Sequence, residues 1–264
     1  MGLQGLLHVI YPPQCVACDE RVTTDFGLCG ACWRDTPFIS GLVCDQCGTP
    51  LHGDDTGEAA SCDDCLATPR PWTRGRAALV YDANARHMVL DLKHGDRVDL
   101  ARPAASWLMA AAAPILERDM LVAPVPLHWF RLLRRKYNQA ALLSGLLAKA
   151  AGLDHCPDLL QRSRHTGSQD HKDRATRMSN MDGAIRAHPA RRGKMQGRHV
   201  LIVDDVMTSG ATFAAATNAC LAAGASAVSV LALARVPPCK SLMARFIAPA
   251  LQTPILLRDQ GKMR

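Results

Sequence analysis

Apolar residues after position 72 follow two patterns that alternate along the chain. Short runs that are almost entirely apolar are typical of strands buried on both faces of a parallel sheet. Longer stretches with apolar residues three and four positions apart are typical of helices. The expected strands cover residues 76–81, 120–127, 184–187, 199–206 and 227–234, and the expected helices cover residues 85–93, 101–116, the later part of 128–151, and 213–223. This alternation predicts an α/β domain in which helices flank a parallel sheet.

The strand expected over residues 199–206 carries two adjacent carboxylates, Asp204 and Asp205, at its end. Small residues, three of them hydroxyl-bearing, follow around a glycine, and an alanine-rich helix comes next. The free backbone N–H groups at the start of such a helix favour a phosphate, and a glycine lets the main chain approach it closely. An acidic pair beside a phosphate site predicts a sugar phosphate, because carboxylates accept hydrogen bonds from sugar hydroxyls. The candidate phosphate-binding residues are Thr208, Ser209, Gly210, Ala211 and Thr212.

Eight of the eleven cysteines lie in the first 65 residues, as four Cys-x-x-Cys pairs. Each pair places two thiolates on one tight turn, and two pairs complete a tetrahedral zinc site. Disulfides are disfavoured in a cytoplasmic chain, and a redox pair would not need four copies. We therefore predict two structural Zn²⁺ sites, with interleaved pairing left open beside the sequential pairing. The sequential sets are Cys15, Cys18, Cys29 and Cys32, then Cys44, Cys47, Cys62 and Cys65.

Charge and composition divide the chain into a cysteine-rich module over 1–70, a main domain over 73–236 and a tail over 237–264, with a proline-stiffened linker over 69–72. Residues 1–72 carry three basic and ten acidic side chains, a net charge of −7. Since the whole chain has a net charge of +7, the remaining residues carry a net charge of +14. A basic main domain attracts phosphates and nucleic acid, although a solvated surface has the same composition. The chain has no unbroken apolar run of membrane-spanning length and no signal-peptide pattern near its start, which predicts a cytoplasmic protein without membrane insertion.

Residues 161–180 contain almost no apolar residue and many basic ones. A stretch of this kind inside a compact domain is uncommon unless it serves as a lid or a binding loop. Its excess of positive charge favours a mobile lid over a polyphosphate, with a solvated surface loop as the alternative.

The sequence VLIVDDVMTSGAT resembles the phosphoribosyl-pyrophosphate signature of type I phosphoribosyltransferases. A strand that ends in Asp-Asp also occurs in nucleotide hydrolases and receiver domains, but the TSGAT continuation removes most of that ambiguity. Four further features are similar to the ComF family, the amidophosphoribosyltransferase-like proteins linked to DNA uptake and competence. These are the cysteine pairs, LKHGD at 92–96, PVPL with RRKYNQA between 124 and 140, and the Arg162, Thr166 and Gln169 pattern that leads to Arg177.

The resemblance implies a type I phosphoribosyltransferase fold with an N-terminal double zinc ribbon. Asp204 and Asp205 are its catalytic pair and contact the ribose hydroxyls, the loop over 208–212 holds the 5′-phosphate, and Mg²⁺ bridges the ribose and the pyrophosphate. The candidates for the pyrophosphate end are Lys93, Arg134, Lys136, Arg162 and Arg177.

Three functions remain open at this stage. The first is a Mg²⁺-dependent phosphoribosyltransferase with an unknown acceptor, linked to DNA uptake, competence or nucleotide salvage. The second is a non-catalytic competence protein that binds single-stranded DNA, where the low aromatic content of 5% predicts electrostatic contacts rather than stacking. The third is a degenerate relative whose zinc module docks on competence or DNA-processing proteins. A homo-oligomer is compatible with each.

Overall fold

A five-stranded parallel sheet lies at the centre of the protein in this computed structural model, which describes residues 11–94, 97–127, 137–163 and 183–237. Its strand order is β1-β7-β6-β2-β3, so the strand that carries the two aspartates lies in the middle. The strands are β1 (Arg74–Val80), β2 (Leu121–Pro124), β3 (Asp154–His155), β6 (His199–Met207) and β7 (Ala227–Arg235). The predicted class, a parallel sheet flanked by helices with a small cysteine-rich module, is confirmed.

Two short strands, β4 (Leu160–Arg162) and β5 (Ile185–Ala187), form a separate antiparallel pair. Their pairing brings the start of the basic stretch close to the residues that follow its end, while residues 164–182 lie outside the described part of the chain. The sequence indicated β5 but neither β3 nor β4, because β3 (Asp-His) and most of β4 (Leu-Gln-Arg) are polar and lack the apolar run that marked the other strands.

Six α-helices are described, and four of them flank the sheet. The helix predicted over 101–116 ends at Ala112 and continues as a tight turn over Ala113–Ile115, because Pro114 cannot donate a helical hydrogen bond. None of the helices in the described ranges is both long enough and apolar enough to span a membrane. The helices are α1 (Gly30–Asp35), α2 (Asp63–Ala67), α3 (Ala83–His94), α4 (Ala101–Ala112), α5 (Gln139–Ala151) and α6 (Ala211–Ala222).

Strand β6 contributes side chains to both faces of the sheet. Leu201 and Val203 pack on the face covered by α3, α4 and α5, whereas Val200 and Ile202 pack on the face covered by α6. This alternation explains why the strand reads as an unbroken apolar run. The α6 face also buries Trp72 and the cysteines of the second four-cysteine set, so that set belongs to the core of the main domain.

The cysteine-rich module is joined to the edge of the sheet by backbone contacts. The Val80 N–H donates to the Pro37 carbonyl at 2.9 Å, and the Ile39 N–H donates to the Ala78 carbonyl at 2.9 Å. Residue Gly75 of β1 lies so close to the module that a Cβ there would be 2.3 Å from the carbonyl oxygen of Gln46. The module is therefore docked along β1 and not merely connected through the linker.

Candidate functional site

The eight paired cysteines form two clusters of four. Within each cluster the four sulfur atoms all lie within 4.8 Å of one another. Zn–S bonds of about 2.3 Å place tetrahedral sulfurs about 3.8 Å apart, so both clusters fit a zinc ion. The clusters follow the sequential pairing, which is confirmed, and the interleaved alternative is wrong. Their members are Cys15, Cys18, Cys29 and Cys32 in the first set, and Cys44, Cys47, Cys62 and Cys65 in the second.

The acidic pair lies at the carboxyl end of β6, the edge where ligands bind in open parallel sheets. Asp205 is buried and Asp204 is partly buried. The Asp205 N–H donates to the Asp204 carboxylate at 2.8 Å. Lys93, near the end of α3, places its ammonium nitrogen 3.0 Å from Oδ1 of Asp205. The predicted lysine and the predicted acidic pair are thus brought together, although they are more than a hundred positions apart in the sequence.

The electrostatics of this cluster shift two pKa values. Burial, and then the neighbouring charge of Asp205, raise the pKa of Asp204 from 3.8 to about 7, against the opposing charges of Lys93 and Arg162. Burial alone would lower the pKa of Lys93, but the charges of Asp205 and Asp204 raise it. A carboxyl whose pKa is raised to about 7 is a feature of functional sites, and here burial is the first cause and the second carboxylate beside it is the next.

The loop after β6 turns into α6 at Gly210, the residue that precedes the first turn of the helix. Gly210 has φ 82° and ψ 2°, a left-handed conformation that favours glycine. Thr208 is exposed, while Ser209 and Thr212 are partly exposed. The Ala211 N–H donates to the Ser209 hydroxyl at 3.4 Å, which orders the turn. The predicted loop residues therefore surround a helix N-terminus at the same edge as the acidic pair.

Two buried arginines hold the carbonyl groups of this loop. Arg235, at the end of β7, donates to the carbonyls of Met207 at 3.2 Å and Thr208 at 2.6 Å, and Arg70 donates to the carbonyl of Ser209 at 2.9 Å. In a trans peptide the N–H points opposite to the carbonyl. Three successive N–H groups, from Thr208 to Gly210, therefore point away from the arginines that hold the preceding carbonyls.

Neither arginine was predicted as part of the site. Arg70 lies in the segment interpreted as a linker, and Arg235 follows the last residue of a predicted strand. Each contacts a loop that is distant in sequence, so no local motif marks it. In the sequence, Arg235 is only a charged residue after an apolar strand, and Arg70 is only a charged residue near an aromatic one. Charged residues in such positions are also common on protein surfaces, so neither was a specific signal.

Trp72 forms the wall behind the loop. It is buried, its indole nitrogen donates to the Gln46 carbonyl at 2.5 Å, and its ring meets that of Phe213 edge-on at 6.2 Å. A Cβ at Gly210 would lie 3.0 Å from the Trp72 ring. The loop thus needs a glycine for its backbone conformation and for close packing on this tryptophan.

The other predicted residues are placed as follows. Arg162 ends β4, and its charge acts on Asp204. The block after β2 has structural roles, since the Tyr137 hydroxyl donates to the Leu92 carbonyl at 2.6 Å and the Asn138 side chain caps α5 by accepting from the Ala140 N–H at 3.0 Å. Three predicted residues lie outside the described ranges: Arg134, Lys136 and Arg177.

Comparison with known proteins gives matches to the cysteine-rich module and to most of the whole chain. Residues 6–66 match the family model described as a double zinc ribbon domain. The DNA utilization protein YhgH of Escherichia coli strain K12 is 31% identical over 215 residues, covering 80% of this chain and 91% of that protein. Competence protein F of Haemophilus influenzae is 27% identical over 214 residues, covering 79% of this chain and 90% of that protein.

Solved structures of phosphoribosyltransferases are also similar to this chain. The glutamine phosphoribosylpyrophosphate amidotransferase from B. subtilis has a TM-score of 0.36 at 20% identity, covering 55% of this chain and 30% of that one. A hypoxanthine phosphoribosyltransferase from Staphylococcus aureus has a TM-score of 0.33 at 15% identity, covering 52% of this chain and 64% of that one. These likenesses are too distant to carry a conclusion about activity. The sequence identity over four fifths of the chain, together with the double zinc ribbon, shows that the chain belongs to the ComF family, which includes the DNA utilization protein YhgH and competence protein F.

Proposed function

We propose that the chain binds phosphoribosyl pyrophosphate with Mg²⁺ at the carboxyl end of β6 and transfers the phosphoribosyl group to an acceptor. The observation that supports this most directly is the geometry of one edge of the sheet. An acidic pair that suits ribose hydroxyls lies at the same edge as a glycine-containing loop at a helix N-terminus, and two arginines hold the carbonyls of that loop.

In this proposal different residues bind different parts of phosphoribosyl pyrophosphate. Asp204 and Asp205 accept hydrogen bonds from the 2′- and 3′-hydroxyls, and the loop over 208–212 donates to the 5′-phosphate. Lys93, whose ammonium nitrogen lies 3.0 Å from Asp205, balances part of the charge of the acidic pair and contacts the pyrophosphate end in this proposal. Mg²⁺, a hard ion that prefers oxygen ligands, supplies charge neutralisation on the pyrophosphate.

In the proposed reaction the bond between C1 of the ribose and the pyrophosphate oxygen breaks, and a bond from C1 to the acceptor forms. The pyrophosphate leaves with the bonding electron pair, and the acceptor loses a proton. C1 passes through an oxocarbenium-like state, as in glycoside chemistry. In this proposal the carboxylates of Asp204 and Asp205 hold the ribose in position for this step, and their negative charge stabilises the developing positive charge.

Calorimetric titration of phosphoribosyl pyrophosphate in the presence of Mg²⁺ tests the ligand. The wild type should bind, and the double variant Asp204→Asn, Asp205→Asn should bind at least about 100-fold more weakly, because two charge-assisted hydrogen bonds are lost. A matched control is the double variant Glu117→Gln, Asp154→Asn. It also removes two carboxylate charges, but these pair with His199 and Arg198 at the opposite end of β6. Equal binding by the two double variants would refute the assignment.

Release of pyrophosphate tests the transfer step. The wild-type protein should release pyrophosphate from phosphoribosyl pyrophosphate when the correct base or amine is present in a panel of acceptors, and the Asp204→Asn, Asp205→Asn variant should not. Binding without release across the whole panel would count against an enzyme and in favour of a ligand-binding protein.

A second candidate function is binding of single-stranded DNA, which the names of the relatives and the basic main domain favour. Arg186, Arg192 and Lys194 are exposed near the β4–β5 pair and offer positive charge for phosphates. Affinity for a labelled oligonucleotide should then fall steeply as salt is raised, because phosphate contacts release counterions. The triple variant Arg186→Gln, Arg192→Gln, Lys194→Gln should flatten that salt dependence. A salt-independent affinity, or an unchanged slope in the variant, would count against this candidate.

A further inference from the structure

Arg70 connects the second four-cysteine set to the phosphate-binding loop. Its Nη1 donates to the Ser209 carbonyl at 2.9 Å, its Nη2 lies 2.5 Å from Oδ2 of Asp64, and its Nε donates to the sulfur of Cys65 at 3.4 Å. The three donors thus use three different acceptors, of which two belong to the zinc module and one to the loop. Only 4% of the Arg70 side chain is exposed, so it acts on a ligand through the loop and not by touching it.

The fixed shape of the guanidinium gives this contact its rigidity. The group is planar, and its donors are arranged in one fork, so anchoring two of them sets the direction of the third. The second four-cysteine set supplies those anchors through Asp64 and Cys65, which lie in α2. Arg70 also lies over the Trp72 ring, 5.7 Å from its centre, and so packs against the wall behind the loop.

The loop is closely fitted to this arrangement. A Cβ on Gly210 would lie 3.3 Å from Nη1 of Arg70 and 3.0 Å from the Trp72 ring. Because the Ser209 carbonyl points at Arg70, the N–H of Gly210 in the same peptide points the opposite way, and the proposed function assigns this N–H to the phosphate. Rotation of this peptide would turn the Gly210 N–H away from that position.

We propose that Arg70 is a positioning residue through which the second zinc ribbon fixes the peptide between Ser209 and Gly210 for the 5′-phosphate of the ligand. This rests on the proposed function for the identity of the ligand. The second ribbon then contributes to the ligand site. Removing its contact through Arg70 lowers the affinity for the 5′-phosphate and leaves the affinity for pyrophosphate unchanged.

The first test measures amide hydrogen exchange of Ala211 and Ala214 in the ligand-free, zinc-loaded full chain, because these N–H groups donate to the Ser209 hydroxyl and the Gly210 carbonyl of the loop. In Arg70→Met these amides should exchange about tenfold faster than in the wild type, the factor expected for one charge-assisted hydrogen bond. Arg70→Lys, which keeps the charge but loses the fork, should give an intermediate rate. The control is Arg74→Met, because Arg74 joins Asp45 of the module to the Pro114 carbonyl without contacting the loop. It should leave exchange of the loop unchanged.

The second test measures affinity by calorimetry with two probes. Ribose 5-phosphate reports on the phosphate loop, and pyrophosphate with Mg²⁺ reports on the other end of the site. Arg70→Met should weaken ribose 5-phosphate about tenfold and leave pyrophosphate unchanged, at unchanged zinc content. Equal weakening by Arg74→Met, or equal weakening of both probes, would overturn the proposal, since either result means general undocking of the module.

The two proposals can fail separately. If the wild type binds neither ribose 5-phosphate nor phosphoribosyl pyrophosphate, the proposed function fails, and the exchange experiment still decides whether Arg70 orders the loop. If the wild type binds and exchange of the loop in Arg70→Met matches the wild type, the inference about Arg70 fails alone. Should Arg70→Met not fold, Arg70→Lys takes its place, and wild-type exchange of the loop in that variant overturns the proposal.

Discussion

Replacing Asp204 with asparagine should stabilise the protein at alkaline pH while removing ligand binding. The pKa of Asp204 is raised from 3.8 to about 7 because loss of solvent at its partly buried position, and then the charge of Asp205, disfavour the ionised carboxyl. The folded state therefore holds a proton that the unfolded chain has released, and stability falls as the pH rises from about 4 to about 7. At 1.36 kcal/mol per pH unit, ionising Asp204 in the folded state costs about 4 kcal/mol at most.

Asparagine keeps the acceptor for the Asp205 N–H but carries no charge, so the variant lacks this loss of stability. The difference in free energy of unfolding between the variant and the wild type should grow by about 2 kcal/mol from about pH 5.5 to about pH 8 in favour of the variant. The reason is that the wild type loses stability over about 1.5 pH units of that range. The assay is urea unfolding of zinc-loaded, ligand-free protein at both pH values. Any change in zinc binding is common to both proteins and cancels in the comparison.

Asp158→Asn serves as the control of opposite sign. Its hydrogen bond with Arg191 lowers the pKa of Asp158, so this carboxyl stabilises the folded state when ionised, and its loss should not raise stability at alkaline pH. A gain for Asp204→Asn that is the same at both pH values would refute the reasoning, because a pH-independent gain cannot come from the titration of Asp204.

Three further predictions follow from the packing and the metal sites. Gly75→Ala should lower stability by about 1–3 kcal/mol in thermal or urea unfolding, because its Cβ would lie 2.3 Å from the Gln46 carbonyl oxygen; no loss of stability would show that the module is not docked there. Gly210→Ala should lower the free energy of unfolding by about 1–2 kcal/mol, because it places a Cβ on a left-handed residue that packs against Trp72. It should also weaken binding of ribose 5-phosphate, measured by calorimetry, more than Gly75→Ala does. Metal analysis should give about two zinc ions per chain. A chelator should unfold the first ribbon before the second, because the first has few apolar contacts of its own and the second lies in the core. Circular dichroism and thiol titration measure this order, and simultaneous unfolding of both ribbons would contradict it.

Local chemistry in the sequence was sufficient to predict much of the site. The acidic pair, the glycine turn and the cysteine pairs are each written within a few consecutive residues, and their chemistry depends on those residues alone. Lys93 was also predicted, although only from a resemblance, because nothing local relates α3 to the end of β6. The raised pKa of Asp204 was not predictable, since it depends on how deeply β6 is buried and on charges from distant elements.

The sequence by itself determined where the longer strands and the four helices of the main domain lie, because apolar spacing depends on near neighbours and on the geometry of one element. It also determined the two metal sets and the two carboxylates at the end of β6. Only the tertiary structure decided that β1 lies beside β7, that the cysteine-rich module pairs with the edge of β1, and that its second ribbon lies behind the phosphate loop. Arg70 and Ser209 are 139 positions apart, and contacts at such separations depend on the packing of the whole chain, which no local pattern contains.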